Sequence, residues 1–153
     1  MVNIKIKKLH KDAIIPKYQT SGASGFDFHS TQNIILHPGV TLLIKTGLSF
    51  EIPNGYELQV RPRSGMSLKT KMRVANSPGS VDSDFRGEVC IIVENIEPYF
   101  NGDKQGSYII INKGDRIAQG VICPVFQATF EEVDELGETD RGTGGFGSTD
   151  DNE

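Results

Sequence analysis

Apolar and polar residues alternate along "VNIKIKKL", the two-residue period of a half-buried β-strand. Similar short segments recur as "VTLLIKTGLSFEIP", "YELQVRPR", "EVCIIVEN", "SYIIINKG" and "IAQGVICPVF", bounded by Gly, Pro, Asn or Asp. No stretch holds a helical period except "SGMSLKTKM", which predicts a turn or two of helix with Ser64 as its N-cap. Together these elements predict an all-β fold, a barrel or jelly-roll-like sandwich, without internal repeats. "EPYFNGDKQGSY" reads as an exposed hairpin or loop insertion, since its glycines and Asn101 suit turns. After Leu136 the pattern stops. The expectation is a β-domain over residues 1–136 and a flexible, glycine-rich arm over 137–153, which has too little apolar surface to order itself.

Composition adds limits. A chain of 153 residues with 37% hydrophobic content predicts one domain with its own core. No apolar run approaches the ~20 residues of a membrane helix, and "MVNIKIKKLHK" lacks the apolar middle of a signal peptide. Cys90 and Cys123 lie inside apolar runs, which favours a reduced, intracellular protein over a disulfide scaffold. They lack zinc-site spacing, and His10, His29 and His37 form no ligand cluster with them. A net charge of −4 argues against broad nucleic-acid binding but leaves room for a small phosphorylated ligand met by local positive charge and a cation.

Four segments hold more polar and glycine residues than a β-domain needs. "RPRSGMS" ends a strand in two arginines and opens the predicted helix. It reads either as an anion site, from helix N–H groups beside a bidentate donor, or as an ordinary strand-to-helix turn. "ANSPGSVDSDFRGEV" suggests a tight hairpin able to read a flat polar ring. If the chain is extended there, Asp82 and Asp84 share a face, and their repulsion would favour a general base; the alternative is a solvated turn. In "GASGFDF", Asp27 stands between two phenylalanines and must be paired or exposed if it lies in a strand; alone, the segment reads rather as an Asp that ends a turn. "NKGDRIAQG" reads as a turn into a strand with Arg116 paired to a carboxylate, while Gln119 could face a ligand. The ending "RGTGGFGSTDDNE" reads either as a nucleotide-covering arm or as a disordered tail with an incidental Phe. Glycines approach phosphates, Arg141 adds charge and Phe146 a stacking face, although the lysine and spacing of a Walker A loop are missing.

In order and spacing, "GASGFDF", "RPRSGMS", "NSPGSVDSDFRGE", "GDRIAQG" and "RGTGGFGST" resemble the five motifs of the trimeric dUTP diphosphatases, or dUTPases. The resemblance implies a jelly-roll-type β-fold and a homotrimer with active sites between subunits. It also implies Mg²⁺-dependent hydrolysis of dUTP to dUMP and diphosphate, which keeps uracil out of DNA and supplies dUMP for thymidylate synthesis. Carried onto this chain, Asp82 resembles the residue that activates the attacking water near the sugar 3′-hydroxyl. Arg63, Ser64 and Gly65 match the phosphate-holding motif of a neighbouring subunit. Asn76, Gly79, Ser80 and Val81 match the uracil-receiving hairpin, with Cys90 adding backbone contacts. Phe85 matches the ring that packs on the sugar and disfavours a 2′-hydroxyl. Gln119 matches a phosphate-contacting glutamine, and Arg141 the γ-phosphate arginine. Phe146 resembles the ring over the uracil, with Gly147 and Ser148 on the phosphates, and Asp27 supports the site from behind. Two departures stand out: Phe85 replaces a frequent tyrosine, and Pro78 and Ser80 replace apolar residues. No protein metal ligand is expected, the Mg²⁺ being held through phosphate oxygens and water. Two alternatives compete. A dCTP deaminase of the same fold needs a glutamate where Ile92 stands, with Glu94 two residues on; a non-catalytic nucleotide-binding module would have lost the base or the arm.

Overall fold

A computed structural model describes residues 1–101 and 104–146. Among these, thirteen short strands and one helix follow each other along the chain. The strands are β1 (Lys5–Lys8), β2 (Phe26–His29), β3 (Ile34–Leu36), β4 (Thr41–Lys45), β5 (Leu48–Glu51) and β6 (Tyr56–Arg61) before helix α1 (Ser64–Lys69). After it come β7 (Met72–Val74), β8 (Gly79–Val81), β9 (Cys90–Asn95), β10 (Phe100–Asn101), β11 (Lys104–Gln105), β12 (Ile109–Ile111) and β13 (Arg116–Pro124). The fold is all-β, as the alternation predicts. Its ladders do not close into one barrel: the strands form sheets ordered β2-β13-β6-β8, β4-β9-β7, β1-β5, β12-β3 and β10-β11.

One apolar core joins these sheets, the β10–β11 pair apart. Phe28, Leu36, Ile44, Leu58, Ile91 and Ile117 are fully buried, each from a different strand. The Phe28 ring meets Phe26 edge-on at 5.5 Å and Phe50 at 5.9 Å. Burying an aromatic of this size contributes roughly 1.5–3 kcal/mol by area alone. Fully buried Asn95 ends β9 and donates through Nδ2 to the Leu36 (3.2 Å) and Ser107 (3.0 Å) carbonyls, tying β9 to the β3–β12 layer. The predicted hairpin over 97–108 is present as the β10–β11 pair, with Tyr99 and Phe100 exposed.

Three local expectations are corrected. "VTLLIKTGLSFEIP" is two strands, because Gly47 turns the chain with φ +70° where a Cβ would lie 2.8 Å from the Ala13 Cβ. Arg63, not Ser64, is the N-cap of α1; its extended backbone (φ −90°, ψ 131°) precedes Ser64, the first helical residue, and no side chain caps the N-terminus. The C-terminus is closed instead by Arg73, whose Nη1 donates to the carbonyls of Ser67, Thr70 and Met72 at 3.2, 3.1 and 2.8 Å. Finally, the segment around Pro78 is not a hairpin of two mutually paired strands. β7 pairs with β9 and β8 with β6, so the turn, closed by Ser77 N–H to Val74 O at 3.2 Å, carries the chain from one sheet to another. Among the described residues regular structure ends at Pro124, and Val125 N–H still reaches Gly55 O at 2.9 Å.

Candidate active site

Strand β2 turns Asp27 to the face of the four-stranded sheet opposite the core residues Phe26 and Phe28, where it is 8% exposed. A carboxylate in that position needs cationic partners, and it has two. Arg63 Nε donates to Oδ1 at 2.7 Å, and Arg116 Nη1 to Oδ2 at 3.3 Å. The partner foreseen for Arg116 is therefore Asp27, and Asp27 lies mid-strand rather than at a turn's end. Arg63 also donates through Nη1 to the Arg116 carbonyl at 3.3 Å, which braces the two arginines together. Gln119 sits opposite both Asp27 and Arg61 in the ladder, and its Nε2 donates to Pro62 O at 2.9 Å. Ser64 and Gly65 begin α1 immediately beyond, both exposed. One end of the sheet thus gathers Asp27, Arg63, Ser64, Gly65, Arg116 and Gln119 with a net positive charge. Such a face attracts phosphate even on an acidic chain.

The second group lies along the chain from β7 to β9. Asn76 is exposed and its amide rests over Gly79, where a Cβ would lie 2.8 Å from Nδ2. Ser80 is exposed and Val81 half-buried on β8; Cys90 is half-buried at the start of β9. The chain is not extended past Val81: Phe85 N–H donates to Asp82 O at 3.2 Å, closing a turn. This corrects the premise that strand alternation aligns Asp82 with Asp84. Both nevertheless line one open cleft of about 950 Å³, with Ser80, Tyr56, Glu57 and Arg86. Arg86 clamps the turn, its Nη1 donating to Ser83 O at 2.7 Å and Phe85 O at 3.0 Å. Sequence reasoning did not find that clamp, because a surface arginine after a turn carries no local signal of its acceptors.

The two groups do not meet in one chain. β8 runs antiparallel to β6 with Gly79 opposite Val60 and Val81 opposite Leu58, so Asp82 continues toward Glu57. Arg63 lies beyond the other end of β6, six residues further on; at ~3.3 Å per extended residue the separation is roughly 20 Å. Turns over residues 139–144 form a third element. Arg141 Nε donates to Gly144 O at 2.9 Å, while the Phe146 ring is fully exposed and touches neither group. Gly147 and Ser148 lie outside the described residues.

Two titrating groups border the site. His29, opposite Arg116 at the end of β2, has its pKa lowered, first by burial and also by the charges of Arg116 and Arg63, against the opposing pull of Asp27. Its buried Nδ1 has no hydrogen-bond partner among the described residues. Burial, with Glu88 nearby, raises the Cys90 thiol and keeps it protonated; Cys90 and Cys123 are both free. Among the described residues no group of three or more His, Cys, Asp or Glu side chains could hold a metal ion, and no helix is long and apolar enough to cross a membrane.

Fold and site define an all-β domain of a nucleotide-handling kind, with an arginine-framed face at one end of a sheet and a carboxylate-bearing turn at the other. A family profile for dUTPase matches residues 11–150. The deoxyuridine 5′-triphosphate nucleotidohydrolase of Nautilia profundicola is 50% identical over 148 residues, spanning 97% of this chain and 99% of that one. The protein of the same name from Helicobacter pylori is 47% identical over 97% of both chains. Among solved structures, a mutant dUTPase of Staphylococcus bacteriophage 80alpha with dUpNHpp superposes with a TM-score of 0.85 at 28% identity, covering 96% of this chain and 98% of that one. A mutant dUTPase from phage phi11 of S. aureus, described with a coordinated structural Mg(II) ion, gives a TM-score of 0.80 at 26% identity over 88% and 98% of the two chains. The chain belongs to the dUTPase family.

His29 makes the stability of this end of the sheet depend on pH. Its folded-state pKa lies below the ordinary 6.5, so the unfolded chain takes up the proton first. The contribution is complete above about pH 6.5 and is lost as pH falls from there through the folded-state value. Urea unfolding midpoints should therefore decline from about pH 6.5 downward in the wild type, and His29→Gln should flatten that part of the profile. Parallel profiles for the two proteins would remove His29 as the cause.

Proposed function

We propose that this protein hydrolyses dUTP to dUMP and diphosphate. The observation that carries this reading is a chain of the dUTPase family that holds Asp82 on an exposed turn and Arg63 braced at the head of α1. In the proposed mechanism Asp82, whose carboxylate has no hydrogen-bond partner among the described residues, orients the water that attacks the α-phosphorus and takes its proton. Arg63, the N–H groups of Ser64 and Gly65, and the Gln119 amide hold the phosphates and receive the charge that moves onto the leaving diphosphate. Asn76, Gly79, Ser80 and Val81, with backbone at Cys90, receive the uracil, and the Phe85 ring packs on the deoxyribose. Asp27 acts through Arg63: it fixes Nε and leaves Nη2 free to meet an anion.

Mg²⁺ is the cofactor of this reading. The carboxylates sharing the cleft, Glu57, Asp82 and Asp84, are hard oxygen donors of a kind that suits Mg²⁺ or its waters, but among the described residues they do not converge as a cage, so the ion would sit mainly on substrate phosphates. Bound there, it would neutralise the triphosphate and ease departure of diphosphate.

The assembly we propose is a homotrimer with shared sites. The ~20 Å between Asp82 and Arg63 in one chain supports this reading, in which the phosphate-holding group comes from a second copy. Residues 137–153 form the arm that closes the site, with Arg141, Gly147 and Ser148 on phosphate and Phe146 over the base. Deamination of dCTP is not favoured, since Ile92 offers no proton-carrying group and Glu94, on the same face of β9, lies at the strand's far end.

Diphosphate release should be rapid with dUTP and slow with dTTP, dCTP and UTP; comparable rates with all four, or ammonia from dCTP, would overturn the reading. Asp82→Asn should retain nucleotide binding while kcat drops by roughly 100- to 10,000-fold, as expected on removing a general base. Shared sites have a separate test. Asp82→Asn and Arg63→Gln are each expected to be nearly inactive, yet refolding them together in equal amounts should restore about a quarter of wild-type activity in randomly mixed trimers. No recovery would place both residues in one subunit's site. Removal of residues 137–153 should leave a folded trimer with poor turnover, and full activity of that truncation would dismiss the arm.

A further inference from the structure

Phe85 lies on the Asp82 turn, 44% exposed as a residue, and a ring so placed needs a floor to stay in one position. The floor is Gly87. A Cβ built on Gly87 would lie 2.5, 2.9 and 3.3 Å from Cζ, Cε2 and Cε1 of Phe85, and these are its three nearest atoms. Gly87 does not occupy the left-handed region that demands glycine, so an alanine there fits the backbone and conflicts with the Phe85 ring first.

The backbone on either side cannot yield in place of the ring. Ser49 Oγ donates to the Arg86 carbonyl at 2.7 Å, Gly47 N–H to Glu88 Oε1 at 2.7 Å, and Val89 N–H to Leu48 O at 2.8 Å. These bonds pin residues 86–89 to β5 and the Gly47 turn. The root of the ring is held as well, by Phe85 N–H to Asp82 O and by Arg86 Nη1 to Phe85 O. Any side chain at position 87 therefore lifts the ring edge off its seat.

We propose that Gly87 is a specificity-determining position: by lacking a side chain it seats the Phe85 ring at the height from which it fits a deoxyribose and crowds a ribose. The inference rests on the proposed role of Phe85 at the sugar and adds to it the element that sets the ring's position. Gly87 is a positioning residue and touches no substrate atom. Pushed outward, the ring enters the sugar's space and the close fit that only the deoxy sugar gains is lost. A hydrophobic contact of this size is worth roughly ten- to two-hundredfold in discrimination.

The test is Gly87→Ala, with kcat and KM measured for dUTP and UTP. The expected result is a KM for dUTP raised about tenfold with kcat little changed, and a dUTP-to-UTP preference narrowed by about the same factor. In a Phe85→Ala background the Gly87→Ala change should have no further effect, because the ring it displaces is gone. A folded Gly87→Ala enzyme with unchanged KM and preference would overturn the inference, as would an equal effect in the Phe85→Ala background. A readout independent of how Gly87→Ala folds is the ring-current shift of the Gly87 α-protons in the wild type. It should vanish in Phe85→Ala, and its persistence would also overturn the seat. A wild type that hydrolysed UTP as fast as dUTP would instead defeat the functional reading of Phe85, and the inference with it.

Discussion

Strand β6 hydrogen-bonds β13 along one edge and β8 along the other, and the antiparallel sense of both ladders decides which side chains share an end of the sheet. On the β13 side, Gln119 opposite Arg61 brings the glutamine to the turn that carries Arg63. On the β8 side, Val81 opposite Leu58 sends Asp82 the other way. A strand is stiff at the scale of its own length, so no side-chain rotation bridges the two ends. The shared-site assembly proposed above takes its reason from that geometry.

The Asp27 pair with Arg63 and Arg116 shows how a local positive face is built on a chain of net charge −4. A carboxylate this buried is costly unless its oxygens are bonded, and each oxygen has an arginine. The same bonds restrain both guanidinium groups before any ligand arrives, which lowers the ordering cost of binding. His29 beside them is biased toward its neutral form, so it adds no positive charge to the two arginines at neutral pH. The Asp82 turn has the opposite character: it is exposed, its carboxylate is unpaired among the described residues, and its shape is held by the Arg86 clamp and by bonds to β5.

The family resemblance was legible because its signal is short-range: "GASGFDF", "RPRSGMS" and "RGTGGFGST" are contiguous, and each holds its chemistry within a few residues. Most strands were legible for the same reason. Those missed were short or irregular, such as Ile34–Leu36 and Gly79–Val81, where three residues show no usable period. The Ser64 cap was misplaced by one residue because Arg63, the true N-cap, has no capping side chain to signal it and turns its guanidinium to Asp27, 36 positions away.

What the chain determines by itself is therefore local: β-type alternation, the turn residues, the inventory of arginines, carboxylates and glycines, and the family they spell. Only the tertiary structure decided that Arg116 and Arg63 share Asp27, that the segment through Pro78 changes sheets, and that Gly87 lies under the Phe85 ring. Each of these depends on partners brought together by strand register. Register is set by packing of the whole core, not by the few residues on either side of the contact.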